Sequence, residues 1–353
     1  MPFFRSGEKK NSSVTPDLEY TVRYIKNGQQ IPFQSSLNYA FYTLHLSLAG
    51  NAQVIIGNNV ADCSYLFWNQ NNFKTPVIIP NSVQNCVGMF YLAKNYNKPI
   101  AIPNSVKNCK DMFRSDYAFN QTVDIPDSVI DCSYMFQGAI GLKQPVTIGN
   151  NVKNCAYMFS GTTTFNHPIT IPSSAQDCAG MFNNSHFNQP ITIPNSVVDC
   201  AKMFNSCAID YPVVIPDSVV NCFAMFGNKS KMSYAVTIGK NVKNCGDMFW
   251  GSRLNNQTIV IPKNVTDCSR MYASDYVRDM EIYINGNPNV FQLLYYYSAE
   301  NVRINVYAGR SINVSRMVLY RNNNYYNFTA RSDGNGYYNS WLNVNVFNNY
   351  VGT

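Results

Sequence analysis

The feature that most constrains the fold of this chain is a repeat of 22 or 23 residues. Ten of the eleven cysteines recur at this spacing. Each of them follows Asp or Asn, and an apolar pair, usually Met-Phe, begins three residues later. The recurring cysteines are Cys63, Cys86, Cys109, Cys132, Cys155, Cys178, Cys200, Cys222, Cys245 and Cys268. Such units cannot bury their apolar faces alone, so the repeat predicts stacked coils around one continuous core.

Each unit contains the signals for a short strand and a short helical turn. A β-branched triplet such as Ile169-Thr170-Ile171 places two side chains inward and one outward. Pro or Gly ends this strand. The Asp or Asn before the cysteine is expected to cap a helical turn that carries Cys, Met and Phe on one face. We therefore predict a repeat solenoid with short parallel β-strands on one face and short helical turns or loops on the other.

The recurring Cys, Met and Phe residues are predicted to form the structural core. In the central units they are Cys155, Met158, Phe159, Cys178, Met181, Phe182, Cys200, Met203 and Phe204. A buried, reduced cysteine behaves as a small hydrophobic residue. A spacing of one whole coil does not fit the short Cys/His spacings of zinc sites. We predict no metal and no cofactor, and Cys207, which lies outside the repeat phase, is interpreted as a lone thiol that could be exposed.

The repeat also predicts how the chain is organised. Residues 37–294 form the solenoid, with regular coils at about 51–275 and weaker copies at both ends, as expected of capping units. Residues 1–36 are polar and weakly basic and are predicted to be an arm or linker. Residues 295–353, rich in Tyr and Asn, are predicted to be a β-rich C-terminal cap or β module.

The unit Ile191–Phe204 (ITIPNSVVDCAKMF) resembles the BspA-like class of leucine-rich repeats, which occurs in microbial surface proteins and some viruses. The Met-Phe pair and the Phe-Asn-Gln-Pro stretch at Phe187–Pro190 also resemble a repeat of bacterial surface lipoproteins. The resemblance covers about two-thirds of the chain and implies a leucine-rich-repeat-like solenoid with a binding role. This chain departs from the class by having cysteine where an aliphatic residue is more common.

Composition argues against several classes of function. Only 13% of residues are charged, and the net charge of +7 is scattered, whereas a nucleic-acid groove needs clustered basic residues. No apolar stretch reaches the ~18 residues of a membrane span, and the first residues do not resemble a secretory signal. His45, His167 and His186 occupy unrelated phases of the repeat, so no catalytic constellation follows from them. We predict a protein that is not an enzyme and binds no nucleic acid.

Two surfaces are candidates for binding. The first is the ladder of outward strand residues, which includes Thr147, Thr170, Thr192, Val214, Thr237 and Val260. Solenoids use such ladders for contact, although strand propensity alone also favours these residue types. The second is a C-terminal recognition surface formed by Tyr325, Tyr326, Tyr337, Tyr338 and Trp341. Its mixture of aromatic and small polar residues is typical of recognition loops, and a β cap that seals the last coil is an equally simple interpretation.

These patterns favour a non-catalytic binding or structural protein. The first hypothesis is a virion component, such as a phage tail, fibre or head decoration protein, made in the host cytoplasm, where thiols stay reduced. The second is a bacterial or protist surface adhesin of the BspA-like class, located outside the cell. A cytoplasmic scaffold is the third. The expected partners are proteins of an assembly, or a cell-surface glycan or protein, and a homo-oligomer remains open.

Overall fold

The computed structural model describes residues 22–26, 29–33, 48 and 50–285, with gaps at 208, 210, 229–230, 233, 256 and 274–276, and beyond them only strand residues. Within these residues there are 18 strands and no helix. The strands are β1 (Val22–Lys26), β2 (Gln29–Phe33), β3 (Gln53–Ile56), β4 (Val123–Asp124), β5 (Val146–Thr147), β6 (Val213–Val214), β7 (Lys231–Met232), β8 (Val236–Thr237), β9 (Arg253–Asn255), β10 (Thr258–Ile261), β11 (Tyr272–Ala273), β12 (Val277–Asn285), β13 (Leu294–Tyr295), β14 (Ala299–Tyr307), β15 (Met317–Arg321), β16 (Asn324–Phe328), β17 (Tyr337–Asn339) and β18 (Leu342–Phe347).

The repeats stack in parallel and in register. The Asp or Asn before each cysteine forms a parallel bridge with its counterpart in the next repeat, without interruption from Asp62 to Asp267. The β-branched triplets follow the same register where they form strands: β4 pairs with β5, β6 with β8, and β10 with β12, all parallel. Each residue therefore lies beside its equivalent one repeat away, and side chains of one repeat position form continuous rows.

The predicted short helical turn is wrong. An α-helix bonds each N–H to the carbonyl four residues earlier. Here the Phe90 N–H donates instead to the Met112 carbonyl of the next repeat (2.8 Å). The N–H of Met89, the residue before Phe90, donates to the Cys86 carbonyl within its own repeat (3.1 Å), and this bond closes a tight turn. Because every second amide is committed to the neighbouring repeat, the segment is a series of overlapping turns.

A left-handed residue reinforces this turn. The second residue after the cysteine has a positive φ in repeat after repeat, with values of 56° at Gly88, 58° at Tyr134 and 54° at Tyr157. A single residue in this region interrupts helical geometry and is costly for residues other than glycine. The conformational cost of this positive φ is offset because hydrogen bonds between stacked repeats hold the amides on both sides of the residue.

The core consists of the repeating Cys, Met and Phe side chains, which are fully buried in the central repeats. The phenylalanine rings form one stack. The Phe182 ring centroid lies 5.7 Å from that of Phe159 and 5.9 Å from that of Phe204. A second ring from the same repeat, Phe187, packs 3.9 Å from Phe182. Burying each ring contributes roughly 1.5–3 kcal/mol, so the stack is a large source of apolar stabilisation.

Both ends of the repeat array are extended by other strands. Within residues 1–36, β1 and β2 form an antiparallel hairpin, and β1 also pairs antiparallel with β3 of the first repeat. This pairing, which was not predicted, covers one edge of the array. Beyond the last cysteine repeat, β12, β14 and β18 continue the parallel pairing that begins at β10, and β17 joins β18 antiparallel.

Candidate binding surfaces

The outward residues of the strand triplets are exposed where they were expected to be. Each is flanked by two inward residues, as in β5, where Val146 is buried and Thr147 exposed. The exposed members include Ile78 (85%), Val214 (63%) and Val260 (40%). The structure also exposes Thr147, Thr170, Thr192 and Thr237. These residues form one row along the stack, because the strand register places each beside its equivalent in the next repeat.

A second exposed row, missed by the sequence analysis, runs beside the first. It lies two residues earlier in each repeat, and residues two apart on a strand share a face. The row consists of Pro76, Pro99, Thr122, Pro145, Pro168, Pro190, Pro212, Ala235 and Thr258. Prolines are suited to this position because they open the strand without donating to the ladder. We call the two rows together the strand face.

The strand face is almost free of charge within the described repeats. Asp124 is the one ionisable side chain among the two rows from Pro76 to Val260, and its Oδ1 accepts a hydrogen bond from Thr147 Oγ1 (2.7 Å). The remaining side chains are Pro, Thr, Ala, Val and Ile. Such a surface fits an uncharged partner surface better than an ionic ligand.

We expect Thr170→Ala to change the free energy of unfolding by less than about 0.5 kcal/mol. The side chain is exposed, and surface substitutions away from caps and networks have effects of this size. Denaturant titration of the variant beside the parent chain measures this difference. A loss of 2 kcal/mol or more would mean that Thr170 supports the fold, and the strand face would lose its central member as a free contact residue.

Within the described repeats, several asparagines connect one repeat to the next. Asn97 Oδ1 accepts from the Asn120 N–H (3.0 Å) and from Gln121 Nε2 (2.7 Å) in the next repeat. Asn120 Oδ1 in turn accepts from the Lys143 N–H (2.9 Å). Amides paired in this way satisfy backbone donors that the loops would otherwise leave open. These asparagines therefore serve the stacking of the repeats.

The Asp or Asn before the cysteine does cap the following residues, although no helix follows. Asp131 Oδ1 accepts from the Ser133 N–H two residues later (2.8 Å). The same bond recurs with asparagine at Asn154, whose Oδ1 accepts from the Ala156 N–H (3.0 Å). Aspartate and asparagine are interchangeable here because only the side-chain oxygen is used. These acidic residues have a structural role at this position.

All eleven cysteines are buried free thiols in the structure. Burial raises the pKa of Cys63 to about 12, and the charge of Asp62 adds to this effect. Cysteine chemistry depends on the thiolate, so the Cys63 thiol is inert near neutral pH. Within the core, Cys132 Sγ contacts Met158 Sδ (3.6 Å). In the described part of the chain, no group of three His, Cys, Asp or Glu residues could hold a metal ion.

Cys207 was interpreted as a possible exposed thiol, and the structure corrects this. It is 1% exposed, and its Sγ donates to the Phe182 carbonyl (2.7 Å) and contacts Ser185 Oγ (3.3 Å). It occupies the seventh position after Cys200, which is buried in other repeats too, for example at Ala139. The seventh position therefore points into the core in several repeats. Its residue type varies among these repeats, so the sequence alone shows no pattern there.

In the repeat of Cys109, the seventh position holds an aspartate, Asp116. Asp116 is 0% exposed, and neither of its carboxylate oxygens has a hydrogen-bond partner of normal geometry. Burial raises its pKa to about 9, although the nearby amides of Ala118 and Phe119 oppose the shift. The hydroxyl of Tyr96, from the preceding repeat, is also buried without a hydrogen-bond partner of normal geometry. Burial raises the pKa of Tyr96 too, and the charge of Asp116 adds to the effect. Asp116 is therefore protonated in the folded protein at neutral pH.

The two histidines that the structure describes, His167 and His186, lie on different repeats. His167 Nε2 lies 2.6 Å from the Lys143 carbonyl, to which its N–H can donate. His186 is exposed on a different repeat. His45 lies outside the described residues.

A row of aromatic and cationic side chains lies on the turn segment after the cysteine, away from the strand face. It crosses five consecutive repeats, and no sequence motif identified it. We define the aromatic strip as Tyr65, Trp68, Tyr91, Lys110, Arg114, Tyr134 and Tyr157. All seven side chains are half-buried. Tyrosine, tryptophan and arginine dominate the binding energy of many interfaces, so the strip is a second candidate surface.

The predicted C-terminal recognition surface falls largely outside what the structure describes. Tyr325 and Tyr326 lie in β16, and Tyr337 and Tyr338 lie in β17, but the directions of their side chains are not described. Trp341 lies outside the described residues. This surface stays a prediction.

Comparison with known proteins identifies a family over about half of the chain. The family described as "Mycoplasma protein of unknown function, DUF285" matches residues 35–148 and 126–211. No curated protein matches the chain. Among solved structures, a leucine-rich repeat protein from Bacteroides ovatus ATCC 8483 is similar, with 13% identity and a TM-score of 0.42. The match covers 75% of this chain and 73% of that chain.

The described residues contain no helix that is long and apolar enough to cross a membrane.

Proposed function

Because this chain belongs to the family of Mycoplasma proteins of unknown function DUF285, we infer its function from its own surface. We propose that it is a non-catalytic solenoid that binds a macromolecular partner through the strand face. The observation that carries the proposal is the continuity of that face. Two exposed rows of small, uncharged residues run together through nine repeats, from Pro76 to Val260. An extended surface of this kind is how stacked-repeat proteins commonly make contact.

The rigidity of the strand face supports a binding role. Its residues alternate with buried neighbours, as in β10, where Ile259 and Ile261 are fully buried on either side of Val260. β-Branched and proline side chains have few rotamers to lose. A partner that docks on such a surface therefore loses little of its binding energy to ordering side chains.

Our finer proposal is that the partner belongs to a virion, of which this protein is a tail, fibre or head decoration component. Its eleven free thiols favour folding in a reducing compartment, such as the cytoplasm in which virions assemble. The alternative is a BspA-like surface adhesin that contacts a host protein or glycan. The location of the protein discriminates the two roles.

Fractionation of the culture that naturally makes the protein tests the location. Mass spectrometry of dense particles, cell envelope, medium and cytosol would locate it. Recovery in particles at a fixed ratio to the other particle proteins is the expected result. Recovery only in the envelope or the medium would exclude the virion role and leave the adhesin role.

The strand face itself is tested by a charged double variant. We expect Thr170→Arg with Thr192→Arg to abolish co-sedimentation with whichever fraction retains the parent protein, since two cations would be buried against an uncharged partner. The matched control is Gln176→Arg with Val198→Arg, which adds the same charge to exposed positions of the same two repeats outside the strand face. Equal retention of both double variants would refute the strand face as the contact surface.

A further inference from the structure

We propose that the aromatic strip is a second binding site, which takes an anionic carbohydrate chain. The strip is separate from the strand face, so this inference does not depend on the surface assigned above. It crosses the repeats that contain Cys63 to Cys155 and, at ~4.8 Å for each parallel repeat, is about 19 Å long. A site of this shape suits an extended polymer that runs along the stack.

The members of the strip contact one another without a break. The Trp68 ring is 6.0 Å from Tyr65 and 6.3 Å from Tyr91, measured between ring centroids. The Arg114 guanidinium carbon lies 5.4 Å from the Tyr91 ring centroid and 5.3 Å from that of Tyr134. One guanidinium thus joins the aromatic residues of the earlier repeats to those of the later ones.

The far end of the strip is formed by two stacked tyrosines. The Tyr134 and Tyr157 ring centroids are 5.1 Å apart, with 6° between the planes. Next to the strip, glycine stands where a side chain would collide with a ring. A Cβ at Gly180 would lie 2.3 Å from Tyr157 Cε1, and one at Gly88 would lie 2.4 Å from Tyr65 Cε1. The rings are therefore held in place before any ligand arrives.

The cations of the strip differ in how far their charge is compensated. Arg114 Nη1 forms an ion pair with Asp111 Oδ1 (3.0 Å), so its role is mainly to order the rings. Lys110 Nζ lies 5.8 Å from the Tyr134 ring centroid. Among the described residues, the ion pairs of Arg114, Lys240 and Arg270 do not involve Lys110. The positive charge of Lys110 is therefore available to a ligand.

This combination fits an anionic carbohydrate better than a nucleic acid. Because the rings stack on one another along the strip, they offer their outer edges to the C–H surfaces of sugar rings, and tyrosine hydroxyls can bond to sugar hydroxyls. Lysine binds carboxylate or sulfate groups as a point charge. A nucleic acid carries a phosphate on every unit, and affinity for it rises with the number of phosphates neutralised. Lys110 is the one member of the strip whose positive charge is not in an ion pair, which matches a chain of lower charge density.

The test uses the full-length protein and defined polymers. Binding to heparin, hyaluronate, neutral dextran and oligothymidylate would be measured by biolayer interferometry at physiological salt. We expect the protein to bind heparin or hyaluronate at least about tenfold more tightly than dextran and oligothymidylate. Preference for oligothymidylate, or no binding to either anionic polysaccharide, would overturn the proposal.

Variants separate the strip from nonspecific attraction to a protein of net charge +7. Tyr91→Ala leaves the charge unchanged and is expected to weaken polysaccharide binding at least about tenfold. Its control, Tyr117→Ala, removes a tyrosine that is 44% exposed and lies outside the strip. Lys110→Gln should weaken binding more than Lys263→Gln, which removes an exposed lysine from a repeat that the strip does not cross. If each variant binds as its control does, the attraction is nonspecific and the strip is not the site.

A strand-face variant shows whether polysaccharide binding depends on the strand face. Thr170→Ala, on the strand face, should bind both polysaccharides as the parent does. Thermal melts of all variants confirm that each is folded. Loss of polysaccharide binding in Thr170→Ala, with Tyr91→Ala unaffected, would move the carbohydrate site to the strand face.

Discussion

Replacing Phe182 with alanine is expected to lower the free energy of unfolding by about 3–5 kcal/mol, the range observed when a large buried aromatic side chain is removed. Phe182 is fully buried and contacts a ring on each side along the stack and Phe187 within its own repeat. The cavity cannot close easily, because parallel hydrogen bonds hold the neighbouring repeats at a fixed spacing. Denaturant titration with the parent as reference measures the loss.

The matched control is Phe223→Ala, which removes a phenylalanine that is only half-buried on the turn segment. It should cost much less than Phe182→Ala. The damage at Phe182 should also spread, since each repeat is stabilised chiefly by its neighbours. Hydrogen exchange at the amides of Phe159 and Phe204 should accelerate in Phe182→Ala and not in the control. Equal costs for the two variants would contradict the stacked core.

The parts of the fold that the sequence predicts are those that repeat with constant chemistry. Cys178, Met181 and Phe182 recur in phase in other units, so their burial could be inferred without knowing how the chain turns. The outward position of Thr170 follows from the alternation of Ile169 and Ile171 about it. Both inferences depend only on period and residue type, which a sequence contains in full.

The turn after the cysteine could not be predicted, because its geometry is decided between repeats. Apolar residues at spacings of three and four fit a helical face and also fit the observed turns. The two structures differ in where amides such as that of Phe90 donate their hydrogen bonds. The Phe90 N–H donates to the Met112 carbonyl of the next repeat and not to a carbonyl of its own repeat. A single unit contains no trace of that choice, although the recurrence of glycine at Gly88 and Gly180 is a weak sign of the left-handed residue.

Surfaces assembled from variable positions were missed for a related reason. Tyr91 and Arg114 occupy equivalent positions in adjacent repeats but share no chemistry, so they form no motif. Only the stacking of the repeats brings the Arg114 guanidinium carbon to 5.4 Å from the Tyr91 ring centroid. Cys207 was misjudged in the same way, because its buried position holds Ala139 in one repeat and Ser185 in another. Such rows of neighbouring side chains can be identified only when the register between stacked repeats is known.

Asp116→Asn is expected to stabilise the protein at neutral pH and to remove a large part of its dependence on pH. The carboxyl group is fully buried, and its folded-state pKa is raised to about 9, whereas the unfolded value is ~3.9. Between these values the folded state binds a proton that the unfolded state has lost, so stability falls as pH rises. The slope is about 1.4 kcal/mol for each pH unit, or about 4 kcal/mol lost by pH 7.

Asparagine has nearly the shape of the protonated acid but does not titrate, so the variant should lack this slope. Denaturant titrations at pH 4.5, 6, 7.5 and 9 would compare the two proteins. The advantage of Asp116→Asn should be small at pH 4.5 and should grow with each step toward pH 9. Asp124→Asn, which removes an exposed carboxylate from the strand face, controls for the loss of one negative charge. A constant difference between Asp116→Asn and the parent across this range would show that Asp116 is not buried as a neutral acid, and that the seventh position of its repeat opens to water.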